Sequence, residues 1–271
     1  MNAIFRRQIA IPQDHGAWVF IFSPLAIGMF AGRTLQPGTP ALLVGVLAGF
    51  LLRQPVTMIV KVLSGRRPRR DLPASFFWAG LYGLAGAAAL AVLIVQGQGY
   101  VGYLLLPALP VLAWQLWLVS RRAERRQAPV ELAGACVLAL AAPAAEWVGI
   151  GRYDPAGWWL WLLAWLQSAA SILYAYLRLE QRLLPEAPGR PEQWRMARRA
   201  LAATSFNVAF TLLLAAGGLL PRLIFVPYTL QWLESLWGAS HPAVRVKPVW
   251  IGVRQLVVSL VWTALFIAVW R

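Results

Sequence analysis

The chain has 271 residues, 59% of them hydrophobic and 13% charged, against roughly 25% charged in an ordinary soluble domain, so a soluble fold is excluded. Twenty-five Lys and Arg against ten Asp and Glu give a formal charge of +15. That excess suggests nucleic acid in a soluble protein, but here the basic residues sit in short loops between apolar runs. It therefore reads as orientation in a bilayer, with no nucleic-acid partner. A single cysteine, Cys136, rules out an intramolecular disulfide and any Cys-based zinc cluster.

Arg6 and Arg7 precede the first apolar run in the manner of a signal peptide. The run lacks a small-residue cleavage site, so it is expected to be retained. Nine apolar segments follow, at about 16–32, 41–64, 75–95, 100–120, 130–150, 156–177, 200–219, 220–237 and 251–270. Each is near the ~20 residues that cross the hydrocarbon. The first and eighth are short, and the seventh and eighth are parted only by Pro221-Arg222. With the N-terminus inside, the inner loops hold twenty of the 25 basic residues, and the outer stretches only Arg33, Arg152, Arg222 and Arg271. The bias of Lys and Arg toward one side then holds at every loop. The expected architecture is an all-α bundle of nine transmembrane helices forming one domain over 1–271, N-in and C-out. The inner loop from Arg178 to Arg199 carries LPEAPGRPEQW, whose prolines predict a turn or a short interfacial helix. No internal repeat is evident.

Several polar residues in this apolar chain need a reason. Asp14 and His15 open the first segment, ahead of Gly16, which allows close packing, and Pro24. Asp14 is either a helix cap or, with His15, part of a polar entry to a site. In the second segment Arg53 lies about 16 Å inside the span, counted back from Ser64, where a charge is costly. Pro55 beside it removes a helix hydrogen bond and predicts a kink around a cavity. Arg53, Thr57 and Lys61 share one face. Arg53 is either half of an ion pair, with Glu234 as the candidate partner, or a ligand site. Lys61 either snorkels to the headgroups or joins that site. In the sixth segment Gln167, Ser171, Tyr174 and Arg178 fall on one face. They are either interhelical packing contacts or, with the second segment, a basic, hydroxyl-rich pocket. Lys247, before Pro248, is an orientation anchor or another ligand group. Glu131, Glu146 and Asp154 lie near helix ends and need no special role.

The chain has no Gly-rich phosphate loop, no HExxH and no Gly-x-Ser-x-Gly, and its inner half lacks paired carboxylates that would hold Mg²⁺ against a diphosphate. No metal and no cofactor are expected.

Three patches resemble the UbiA-type intramembrane prenyltransferases: HGAWVFIFSP, Arg67-Pro68, and ILYAYLRLEQ near the end of the sixth segment. The resemblance implies that fold and a cytoplasm-facing lipid cavity. Those enzymes hold a polyprenyl diphosphate through Mg²⁺ on two aspartate-rich motifs. Here Ser171 and Arg178 stand about where carboxylates are expected, and Leu51–Met58 contains none. Closer still, Pro12-x-x-His15-Gly16-Ala17-Trp18 with Pro24, Arg53-x-Pro55, and Lys247-Pro248 with Ile251-Gly252 resemble the YwiC-like family of bacterial membrane proteins. This implies a multi-pass protein of the bacterial inner (cytoplasmic) membrane, and carries no activity with it.

The leading expectation is a degenerate prenyltransferase-like protein of uncertain enzymatic status. Its basic cavity would bind an anionic amphiphile, an isoprenoid or a phospholipid, without an aspartate-held Mg²⁺. Guanidinium groups from Arg53 and Arg178 with Lys61 would grip the head. The alternatives are a non-catalytic assembly partner of a membrane complex, and a small-anion transporter.

Overall fold

The computed structural model describes residues 6–12, 15–123 and 127–270, with backbone only for Arg7 and His15. Asp14 lies outside the described residues. Every regular element among them is helical: α1 (Arg7–Ala10), α2 (His15–Gly32), α3 (Thr39–Leu63), α4 (Leu72–Val95), α5 (Leu105–Ser120), α6 (Ala128–Leu138), α7 (Ala141–Ile150), α8 (Gly157–Gln181), α9 (Arg190–Ala216), α10 (Phe225–Ser240) and α11 (Pro248–Val269). Short 3₁₀ turns at Arg69–Asp71 and Gly99–Leu104 lead into α4 and α5. Among the described residues, seven stretches are long and apolar enough to cross a membrane: α3, 69–95, 99–120, 128–150, α8, α9 and α11. The chain is thus a multi-pass, all-helical membrane protein. The other two expected segments, 16–32 and 220–237, correspond to the shorter helices α2 and α10.

The boundaries follow from local chemistry. α6 and α7 share one apolar run but part at Ala139–Leu140, because Pro143 has no N–H to give the Ala139 carbonyl. α3, by contrast, continues through Pro55. α9 begins at Arg190 with a proline in its first turn, where the missing N–H costs nothing. The loop over 178–199, expected to hold a turn or a short interfacial helix, is instead the end of α8 up to Gln181 and the start of α9 from Arg190, and the seventh segment starts ten residues earlier than its hydropathy suggested.

Two compact units divide the chain, Met1–Trp161 and Leu162–Arg271. In the first, α3 and α4 run antiparallel on small residues. A Cβ on Gly45 would meet Ala89 Cβ at 3.4 Å, and one on Gly86 would meet Ala48 Cβ at 3.7 Å. α2 and α7 approach more closely. A Cβ on Gly32 would stand 2.9 Å from Gly149 Cα, and one on Gly28 would stand 2.8 Å from Ala145 Cβ. Small residues let helix backbones meet where lipid supplies no hydrophobic drive. Thr34 and Gln36 then tie the end of α2 by donating to the Gly149 carbonyl. Gly16 makes no such approach: no described atom lies within 4 Å of where its Cβ would be.

In the second unit α8 is the hub. Asn207 Nδ2 donates to Leu166 O at 2.9 Å, Tyr228 Oη to Leu163 O at 2.9 Å, and Gln255 Nε2 to Ser171 O at 3.0 Å. Helices α9, α10 and α11 are thereby each pinned to α8 by a polar side chain on a main-chain carbonyl. Such bonds hold membrane helices where apolar contact alone is indifferent to lipid.

Candidate functional site

The first unit contains a cavity of about 460 Å³, within the range of roughly 300–1,000 Å³ typical of small-molecule sites. On α3 its lining runs from Leu42 to Arg53, on α4 from Tyr82 to Leu93, and on α5 from Leu105 to Gln115. Because α4 runs opposite to α3 and α5, Arg53, Tyr82 and Gln115 all mark the same end. From there the slot extends about 16 Å along α3. The rest of the wall is apolar, with Phe50, Leu90, Leu93, Val101, Leu104 and Ala144 among its members. Six glycines line it among the described residues, and at Gly49 and Gly83 no described neighbouring atom lies within 4 Å of where a Cβ would stand.

Near the polar end, α1 is tied to α3 and α4. Tyr82 Oη donates to Ala10 O at 3.1 Å, and Gln54 Nε2 donates to Gln8 O at 2.7 Å. Ile9 and Ala10 of α1 are buried. Gln115 Nε2 donates to Val130 O at 3.2 Å, which fixes its amide across to α6. Arg53 is half-buried and is the one charged group among the described lining residues. Thr57 shares its face but turns back on its own helix, donating to Arg53 O at 2.7 Å. Lys61 sits in the last turn of α3, half-buried. His15 begins α2; its side chain and Asp14 lie outside the described residues.

The remaining candidates belong to the second unit, where they form a closed network. Glu234 accepts from Arg254 Nε at 2.6 Å and Nη2 at 2.8 Å, and from Tyr174 Oη at 2.9 Å. The Arg254 guanidinium also lies 3.4 Å above the Trp237 ring centroid. Glu234 therefore has a different partner from the Arg53 that the sequence suggested. Arg254, in the second turn of α11 and bidentate to the carboxylate, has the fork geometry for the pair. Arg178, buried, donates to Gly238 O at 3.0 Å and His241 O at 2.7 Å. It thus satisfies carbonyls at the C-terminal end of α10, which cations favour. Ser171 accepts from Gln167 and Gln231. Lys247 is exposed at the N-cap of α11. Tyr174, Arg178, Ser171 and Glu234 are accounted for by helix packing, and the cavity offers the more open chemistry.

Two acids escaped the sequence reading. Asp71 is buried and pairs with Arg6 at 2.9 Å and Arg67 at 3.3 Å. Its signal was a lone carboxylate closing the run RRPRRD. Glu146, read as an unremarkable helix-end residue, is buried in α7, and its Oε2 meets no donor among the described residues.

A sequence model of the YwiC-like protein family matches residues 11–146. The chain belongs to the YwiC-like family. It is also 25% identical over 174 residues to "Uncharacterized protein YwiC" of Bacillus subtilis (strain 168), covering 64% of this chain and 68% of that protein. No solved structure matches. The YwiC-like match takes in every described residue lining the cavity, from Ile21 to Ala144. Of the three family-like patches, those in 12–24 and 53–55 lie inside the match. The 247–252 patch and the whole Glu234–Arg254 network lie outside it.

Proposed function

We propose that this protein binds an anionic membrane amphiphile, an isoprenoid or a phospholipid, in the cavity of its first unit. The apolar part would lie along α3 and α4 and the head near Arg53. One observation carries the reading: the polar residues lining an apolar slot among the described residues, Arg53, Tyr82 and Gln115, all stand toward one end, within the part of the chain that the family shares. Apolar walls with a few convergent polar groups are the common form of a ligand site. The open space at Gly49 and Gly83 supports it further. Glycine costs a helix about 1 kcal/mol relative to alanine, and neither position needs it for packing.

The wider frame is a nine-helix bundle, N-in and C-out, in a bacterial inner membrane, with a UbiA-like path of the chain. α2 and α10 supply the two short crossings and the Lys and Arg asymmetry supplies the orientation. The absence of carboxylates from the described cavity lining separates this reading from Mg²⁺-dependent prenyl transfer. A structural role in a membrane complex is the alternative, and the satisfied Tyr174–Glu234–Arg254 network of the second unit favours it there. Lipid extraction and mass spectrometry of wild-type protein and Gly49→Leu distinguish the two. The proposal expects an anionic amphiphile enriched over bulk lipid in the wild type and depleted in the filled variant. Equal, bulk-like lipid in both leaves only the structural role.

A further inference from the structure

We infer that Glu146 is a proton-binding site, its carboxyl held as the neutral acid in the folded first unit. The inference is separate from the amphiphile reading, since Glu146 is not among the described residues lining the cavity. Glu146 is 6% exposed, near the end of a membrane-spanning stretch, and its Oε2 meets no donor among the described residues. A carboxyl left without water or a donor keeps its proton rather than its charge. The donors close by are already spent. Trp147 Nε1 donates to Asp154 O at 2.6 Å, and Ala156 N donates to Asp154 Oδ1 at 2.9 Å. At the start of α8 the N–H groups of Gly157, Trp158 and Trp159 bond to the carbonyls of Asp154, Pro155 and Ala156. That helix end therefore offers Glu146 no donor of its own. The space is closed as well: a Cβ on Gly157 would stand 2.6 Å from Glu146 Oε2 and 3.1 Å from Pro143 Cβ.

The charges around it point the same way. The charged group that acts on Glu146 is Asp154, another acid. α2 brings the backbone of Gly32 against the Glu146 carbonyl, and no charge. Arg33 and Arg152, in the adjoining loops, are exposed. Tyr100 and Tyr153 hold Trp147, the first by donating to its carbonyl at 3.1 Å and the second by a ring contact at 4.8 Å. A metal ion fits less well than a proton. Hard cations take about six oxygens or more, and both Asp154 Oδ1 and Asp154 O are in hydrogen bonds. No three His, Cys, Asp or Glu side chains converge on a metal position among the described residues.

The test uses the full chain in nanodiscs. At about pH 6, above the ordinary glutamate value of ~4.3, exposed carboxyls are ionised, so a protonated-carboxyl stretch in the infrared spectrum reports buried acids. The wild type is expected to show that band and Glu146→Gln to lack it, while Asp154→Asn keeps it. Identical spectra for the wild type and Glu146→Gln, or loss of the band in Asp154→Asn alone, overturn the assignment. Thermal unfolding of the wild type gives a second reading that needs no variant. The folded state holds a proton that the unfolded chain releases, so stability is lost as pH rises. The unfolding temperature is expected to fall by a few degrees between about pH 6 and about pH 9, and Glu146→Gln to flatten that fall. A wild-type unfolding temperature that is level or rises over this range overturns the inference. Exchanging sodium, potassium and calcium chlorides at fixed ionic strength is expected to change nothing. Saturable stabilisation by one of these cations, abolished in Glu146→Gln, makes the ligand a metal ion and overturns the proton.

Discussion

Arg254 and Glu234 show how this chain treats charge inside an apolar bundle. The carboxylate is 11% exposed and the guanidinium 39%, so the pair is partly desolvated, and the Trp237 face covers one side of the cation. Replacing one partner leaves the other uncompensated, at a cost of about 1–3 kcal/mol for a group in this setting. Glu234→Gln and Arg254→Gln are each expected to lower the thermal unfolding temperature in detergent. The double variant should lose less than the sum, because it removes the pair together. Strictly additive losses would mean that the two residues do not act as a unit. Asp71 makes the same argument in the first unit. Asp71→Asn forfeits its ion pairs with Arg6 and Arg67 and is expected to destabilise by about 1–3 kcal/mol. A melting curve unchanged by that substitution would remove Asp71 from the account.

At the scale of helices, glycines divide into those that let backbones meet and those that leave space. Gly32 belongs to the first kind: a side chain there would run into Gly149 backbone, and overpacking of this sort costs about 1–3 kcal/mol. Gly32→Leu is expected to lower the unfolding temperature clearly. Gly49→Leu, with no described neighbour within 4 Å of its Cβ, is expected to leave stability unchanged or raised by up to about 1 kcal/mol, since leucine is the better helix former. If Gly49→Leu unfolds the protein as readily as Gly32→Leu, the open wall of the cavity is misread. The sequence distinguishes neither kind of glycine, because hydropathy records how apolar a segment is and not which residues face it. The same blindness hid the break between α6 and α7 and the early start of α9. Both depend on where a proline falls in the hydrogen-bond ladder, and an average over twenty residues washes that out.

For the whole molecule, the legible part was the membrane-helix pattern, since apolar length and loop charge act locally along the chain. Arg53 stood out for the same reason: its cost depends on depth, and depth is a residue count. Partnership did not show. Glu234 was matched to Arg53 because both were conspicuous charges, whereas Arg254 looked like an ordinary basic residue near a helix start. Ser171, Tyr174 and Arg178 looked like a pocket because they share a face, yet that face is packed and hydrogen-bonded. The slot's polar end was legible in Arg53, beside the Pro55 that predicted a cavity, but its wall was not: Gly45, Gly49, Gly83 and Gly86 read as plain membrane helix. A cavity is a property of several helices together, so no single segment announces its wall.

The central claim is that this slot holds an amphiphile, and photo-crosslinking tests it most directly. A palmitate carrying a diazirine near the end of its chain is irradiated with the protein in nanodiscs, and the adducts are mapped by peptide mass spectrometry. The account predicts adducts concentrated on lining residues such as Leu42, Leu90 and Leu93, and reduced in Gly49→Leu. Adducts spread over outward-facing residues such as Leu84, Val92 and Leu260, with the same yield in both proteins, would contradict it.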